Sequence, residues 1–227
     1  MGTDQIHRGS AINKSGEKNP RKLGGVEPIM NVGRFLVSQL LNFIVGSQMI
    51  ILQGGEDVRK RTNEALFRSI AAISTTKRIL IIPWTQESDD REMEYLHLFE
   101  GYFSDCGFQS TDFLKKGDND SEVSEKFGST DVIYLPGGDP GVLYRALNSR
   151  SLQDKLRVFK GTIIGNSAGA IVLSRGGIGD RKLYPGFGLV GFFIKVHFKL
   201  EKEMPFGNEK SETISIPENM WIAVSEK

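Results

Sequence analysis

One cysteine and three histidines are few for a chain of 227 residues, and their scarcity excludes a good deal. A lone Cys106 permits no intrachain disulfide and fits a reducing compartment. Neither C-x-x-C nor H-E-x-x-H occurs, so neither a dedicated metal site nor a cofactor is expected. Charge of one sign is also missing. The 29 Lys and Arg against 28 Asp and Glu leave a formal charge of +1, without the basic footprint of a nucleic-acid binder or a polybasic membrane anchor. No apolar run approaches the ~20 residues that span a bilayer, and no signal peptide or internal repeat is visible. A cytoplasmic protein with neither nucleic-acid nor membrane partners is expected, with a homodimer left open.

What the chain does have is enough length for one α/β domain with a real core. Residues 1–31 are polar and rich in Gly, Lys, Arg and Asn, and are predicted to be a disordered extension. A single domain is expected over 32–227, with an amphipathic helix at 32–45 as an appendage. Apolar strands are predicted at Met49-Ile50-Ile51-Leu52-Gln53-Gly54-Gly55, Arg78-Ile79-Leu80-Ile81-Ile82-Pro83-Trp84, Asp131-Val132-Ile133-Tyr134-Leu135-Pro136-Gly137-Gly138 and Thr162-Ile163-Ile164-Gly165. Helical spacing recurs at 63–73, 90–105, 142–147 and 151–160. A charged connection with a short helix is expected at 112–127. Continuous apolar strands alternating with helices mean a mostly parallel sheet covered on both faces, a three-layer α/β sandwich of flavodoxin-like style. Three strands run into glycine turns, at Gly54-Gly55, Gly137-Gly138 and Gly165. Sites in such sheets form at the carboxyl ends of the strands, so these turns should share one edge.

The most informative stretch is Gly165-Asn166-Ser167-Ala168-Gly169-Ala170, placed between a strand and a helix. A G-x-S-x-G turn there holds a serine in a tight elbow with its hydroxyl projecting into a cleft. The Ala168 N–H then points to where a carbonyl oxygen gathers negative charge, and the helix start adds a positive field. A second such donor is expected from Gly138. Asp139 and Pro140 after it have the pattern of a helix cap.

A serine hydroxyl needs a base, and elimination is short. His7 lies in the polar tail and His97 within a helix. His197 sits in the alternating strand Phe192-Phe193-Ile194-Lys195-Val196-His197-Phe198, off the face shared by Phe192, Ile194, Val196 and Phe198. It is the candidate base. Two acids compete to orient it: Glu218, in the turn Pro217-Glu218-Asn219 between two short apolar strands, and Asp180, after the elbow helix. Cys106, near the end of a helix, reads as a buried structural thiol.

Taken in order, L-P-G-G-D-P (135–140), G-N-S-A-G-A (165–170), V-H-F (196–198) and I-P-E-N-M-W-I (216–222) resemble the aspartyl dipeptidase (peptidase E) and cyanophycinase family of serine peptidases. The resemblance covers about Met49 to Val224. It implies a class I glutamine amidotransferase-like fold and hydrolysis of small peptides with an N-terminal aspartyl residue. It implies Ser167 as nucleophile, His197 as base, Glu218 or Asp180 as orienting acid, and Gly138 and Ala168 as oxyanion donors.

Departures bear on specificity. Many members read G-G-G-N-T where this chain has Gly137-Gly138-Asp139-Pro140-Gly141. Cyanophycinase-like members carry Asp-Gln where Lys195-Val196 precedes His197. Relatives also continue for another strand or two, so a shortened member is expected. Asp139, Lys195 and Arg175, with Arg145, are the candidate substrate-binding residues. The alternatives weighed are a β-Asp-Arg hydrolase, a non-catalytic binding or regulatory protein, and a glutaminase, which would normally use cysteine.

Overall fold

The computed structural model describes residues 29–30, 48–87, 89–179, 182–199 and 213–225. Its main sheet is built on five parallel strands: β2 (Met49–Gln53), β3 (Arg78–Ile81), β4 (Ser110–Phe113), β5 (Val132–Leu135) and β6 (Thr162–Asn166). Two further strands extend it. β11 (Trp221–Ser225) pairs antiparallel with β2, and β1 (Ile29–Met30) antiparallel with β11. The order across the sheet is β1-β11-β2-β6-β5-β3-β4. Every residue of β2, β5 and β6 is buried, as expected where helices cover both faces.

Chain order decides which face each helix takes. From β2 the chain passes over two strands to β3 and on to β4, then reverses to β5 and β6. Right-handed crossovers put helices on opposite faces for the two directions of travel. Accordingly α1 (Glu64–Ile73) and α2 (Asp89–Cys106) cover one face, where Leu66, Phe67, Ile70, Phe99, Tyr102 and Phe103 pack on Ile51, Tyr134 and Ile164. The helices α3 (Asp120–Gly128), α4 (Pro140–Ser149) and α5 (Leu152–Val158) cover the other, through Val123, Leu143, Leu147, Leu152 and Leu156. The chain leaves β2 and its neighbour β6 toward opposite faces. The crevice between their carboxyl ends is the place such folds use for ligands.

Local chemistry starts two of these helices where the structure has them. Asn119 and Glu122 close a capping box on α3. Asp139 accepts from the Val142 N–H at 2.9 Å, with Pro140 as the first residue of α4.

A second sheet lies on the α3–α5 side. Its strands β7 (Gly176–Gly179), β8 (Lys182–Pro185), β9 (Phe193–Phe198) and β10 (Thr213–Pro217) run in the order β10-β9-β7-β8. Ile194, Val196 and Ile216 bury it against Ile171 and Val172. The two short strands expected around residues 217–219 are both present but belong to different sheets, β10 to the second and β11 to the main one. The sequence reading also missed β4, whose residues are only partly buried, and the β7–β8 hairpin, rich in glycine and largely exposed along β8. Neither has the apolar alternation by which strands are recognised. The predicted helix at 32–45 lies outside the described residues. Of the predicted extension 1–31, Ile29 and Met30 are described, in register with Ala223 and Ile222.

Candidate active site

Ser167 turns the chain by itself. β6 ends at Asn166 and α6 (Ala168–Leu173) begins one residue later, with Ser167 at φ +48° and ψ −99°. A non-glycine residue there carries about 1–3 kcal/mol of strain. Bonds on both sides hold it: its N–H donates to the Gln53 carbonyl at 3.0 Å, and its carbonyl accepts from the Ile171 N–H at 3.0 Å.

The same short segment also holds the partners of Ser167. The carbonyls of Gln53, Gly54 and Gly55 are consecutive, and they accept from the N–H groups of Ser167 (3.0 Å), His197 (2.8 Å) and Asn219 (2.9 Å). The end of β2 therefore works as a template on which three distant segments are registered. His197 leaves regular strand geometry at φ +54°, which re-aims its ring. Gly55, at φ +156°, leaves room for it; a Cβ there would stand 2.6 Å from the imidazole.

The side chains meet in a relay. The Ser167 Oγ lies 2.7 Å from His197 Nε2, and His197 Nδ1 lies 3.2 Å from Glu218 Oε1. This is hydrogen-bond geometry for a hydroxyl, a base and an orienting carboxylate. Glu218 thus occupies the position for which Asp180 competed; Asp180 lies outside the described residues. His97 is exposed on α2 and has no place in the relay, and His7 is outside the described residues.

Gly137 and Gly138 follow β5 and share a cavity of about 600 Å³ with Ser167, His197 and Glu218. The glycine turns thus meet along one edge of the sheet. Gly138, at φ +140°, lies against Thr85, whose carbonyl accepts the Asp139 N–H at 3.1 Å. Ala168 opens α6 directly after Ser167.

The sequence candidates for substrate binding stand elsewhere. Asp139 caps α4. Arg175 lies over the Phe193 ring, Lys195 near the Phe198 ring, and Arg145 pairs with Glu87 at 3.6 Å. None of the four is on the cavity wall, whose Lys and Arg side chains, among the described residues, are Arg59 and Lys60. Lys60 is paired with Asp57 at 2.9 Å. Cys106 is buried, and burial pushes its thiol up to about 12, an inert state.

Behind the elbow lies a buried polar group that sequence reasoning missed. Gln53 and Asn166 are neighbours in the β2–β6 register, and both are buried. Tyr134 lies on the same face, and Glu56 reaches it from the loop after β2. The Tyr102 hydroxyl donates to Glu56 Oε1 at 2.6 Å. Burial raises the Glu56 carboxyl from its ordinary 4.5 to about 7, against the lowering effect of this hydrogen bond. The one signal in the sequence was a glutamine closing an otherwise apolar strand, with a glutamate three residues on.

The model of peptidase family S51 matches residues 49–227. No curated protein matches the sequence. Among solved structures, the chain is similar to a peptidase from an acI-B1 Actinobacterium, with TM-score 0.61 and 22% identity over 80% of this chain and 85% of that one. It is also similar to a putative peptidase E protein from Listeria monocytogenes EGD-e, with TM-score 0.52 and 19% identity over 71% of this chain and 83% of that one. These likenesses establish the fold, of the class I glutamine amidotransferase-like kind.

Proposed function

This chain belongs to peptidase family S51, a family of serine peptidases, and from that premise we propose that it hydrolyses small peptides with an N-terminal aspartyl residue through an acyl-enzyme on Ser167. The observation that carries this is the relay from Ser167 Oγ to His197 Nε2 at 2.7 Å, with Glu218 on Nδ1. Ser167 Oγ attacks the scissile carbonyl carbon while His197 takes its proton. The oxyanion that forms is met by the N–H groups of Gly138 and Ala168. Glu218 holds the other ring nitrogen and balances the imidazolium. Collapse breaks the C–N bond, and His197 gives its proton to the leaving amine. Water then adds to the ester with His197 again as base, and the acid and free Ser167 are released.

The aspartyl preference is supported by the family and by two cationic side chains on the cavity wall. Arg59 and Lys60, on the cavity wall, suit a substrate carboxylate better by position than Arg175 or Lys195. Among the described residues no helix is long and apolar enough to cross a membrane. The cytoplasm is the location proposed, which a buried free thiol suits.

The test is a panel of Asp-X dipeptides and Asp-p-nitroanilide, with Glu-, Gly- and β-Asp-Arg controls, given to wild type and Ser167→Ala. Fluorophosphonate labelling is read alongside. Asp-selective hydrolysis that disappears with the substitution is expected. Turnover of β-Asp-Arg alone reassigns the substrate. Inertness toward every substrate together with absence of labelling makes this a binding protein.

A further inference from the structure

Buried polar atoms without partners are few in folded proteins, and each calls for a reason. Here most of them cluster. Of the eight such atoms among the described residues, Arg78 Nε and Gln153 Oε1 stand elsewhere. Both side-chain polar atoms of Gln53, Glu56 Oε2, Asn63 Nδ2, the Tyr134 hydroxyl and Asn166 Oδ1 are buried and make no hydrogen bond of good geometry, although Gln53 lies against Glu56 and Asn166 against Tyr134. These belong to the polar group behind Ser167. Gln53 and Asn166 are side by side in the register, and Tyr134 pairs with Ile164, two residues before Asn166 on the same face. The Gln53 side chain and Asn63 backbone lie beside the Glu56 carboxyl. Glu56, Tyr134 and Asn166 are also on the wall of the cavity that holds Ser167.

We propose that Glu56 receives the α-ammonium group of the peptide's N-terminal residue and so makes the enzyme selective for unblocked peptides. This rests on the peptidase reading given above.

Three observations converge on it. The first is chemical. The set offers four acceptors, a carboxylate oxygen, two amide oxygens and a phenol oxygen, beside the donor amide nitrogens of Gln53 and Asn63, and it contains a carboxylate and no cation. An ammonium brings three N–H donors and the one charge that a single carboxylate balances. The second is reach. In an N-terminal residue only one carbon separates the α-nitrogen from the carbonyl that Ser167 attacks. The nitrogen must therefore lie in the immediate surroundings of the elbow. Asn166 directly precedes Ser167, and the Gln53 carbonyl holds the Ser167 N–H. The third is the wall itself, where Tyr95, Phe99 and Tyr134 present aromatic rings, surfaces that favour cations.

Tyr102 occupies Oε1 and leaves Oε2 for the ligand. Oε2 is shielded from solvent, so the carboxyl turns toward the cavity as the ammonium enters. A carboxyl kept partly neutral by burial becomes fully ionised beside that cation. Among the described residues, the titratable groups that act on Glu56 are Asp57 on its own loop and the neutral phenols Tyr102 from α2 and Tyr134 from β5, and the Gln53 side chain and Asn63 backbone act on it as neutral hydrogen-bonding groups.

Binding to the inactive Ser167→Ala enzyme isolates recognition from chemistry. Dissociation constants are measured by calorimetry for Asp-Leu and N-acetyl-Asp-Leu, in that background and with Glu56→Gln added. With Glu56 present, acetylation is expected to weaken binding at least about tenfold. In the double variant the expected penalty is less than about threefold, since the neutral amide gains nothing from the ammonium charge. An equal acetylation penalty in both backgrounds, or none in either, overturns the proposal, as does failure of Asp-Leu to bind. Carbon-13 NMR of the Glu carboxyls keeps the test open should the double variant not fold. In Ser167→Ala, Asp-Leu must lower the midpoint of the Glu56 signal and N-acetyl-Asp-Leu must not; equal midpoints overturn it. Fluorophosphonate labelling of wild type reports on the nucleophile alone, so failure of the peptidase reading is distinguished from failure of this one.

Discussion

The serine and its base are carried by two sheets of opposite character. Ser167 ends a strand buried at every position, in the middle of the main sheet. His197 stands near the end of a strand of the smaller sheet, and Glu218 lies in the turn that joins the two sheets. Their side chains are 44% and 52% exposed. The nucleophile is therefore placed by packing as well as by its bond to Gln53, whereas the exposed base and acid rest chiefly on the backbone hydrogen bonds that Gly54 and Gly55 accept from His197 and Asn219. The difference teaches that stability and activity should separate: damage around β6 should unfold the protein, and damage around His197 should silence it while folded.

Substitutions can break or sharpen that contrast. The largest effect belongs to Ser167→Ala. Turnover should fall about 10⁴-fold or more, about 5.5 kcal/mol in barrier, with the unfolding midpoint unchanged in calorimetry. Glu218→Gln should lower kcat about 10²-fold, about 2.7 kcal/mol. That is less than for a buried triad acid, because water already reaches this carboxylate. Gly55→Ala should act similarly, about 10²-fold, by driving a methyl into the imidazole. Both variants should unfold in urea as wild type does; a loss of more than about 1 kcal/mol in either would break the contrast.

Gly169→Ala probes the other side. Its Cβ would stand 2.2 Å from the Leu135 carbonyl oxygen, where α6 crosses β5. A loss of about 2–3 kcal/mol in urea unfolding is expected. The smallest effect is Glu56→Gln. The Glu56 carboxyl is raised in the fold from 4.5 to about 7, so its contribution to stability is fully present below about pH 4.5 and is lost as pH rises through about 7. The Glu56→Gln variant does not titrate. Relative to wild type it should gain roughly 2 kcal/mol between about pH 5 and about pH 8, read as the difference between two urea titrations.

Legibility in the sequence followed burial. Strands β2, β3, β5 and β6 were readable because continuous apolar runs of that length have few other uses. Ser167 was readable because its strained conformation demands small neighbours that stand adjacent in sequence. The polar cluster at Gln53, Glu56, Tyr134 and Asn166 was not, since its members come from three strands and a loop. The cations on the cavity wall were not singled out either. Nearness in sequence to a motif favoured Arg175 and Lys195, while Arg59 and Lys60 reach the site from the far end of the chain.

Sequence alone determined the alternation of elements, the elbow at Ser167 and, by a count of three histidines, the short list for the base. These are local properties, set by side-chain size, periodicity and backbone strain within a few residues. Only the tertiary structure decided that Glu218 meets His197 and that the consecutive carbonyls of Gln53, Gly54 and Gly55 register three segments. It also decided that Glu56 lies behind the nucleophile. Each of these is a contact between residues far apart in the chain, created when the reversal of sheet direction brings β2 beside β6.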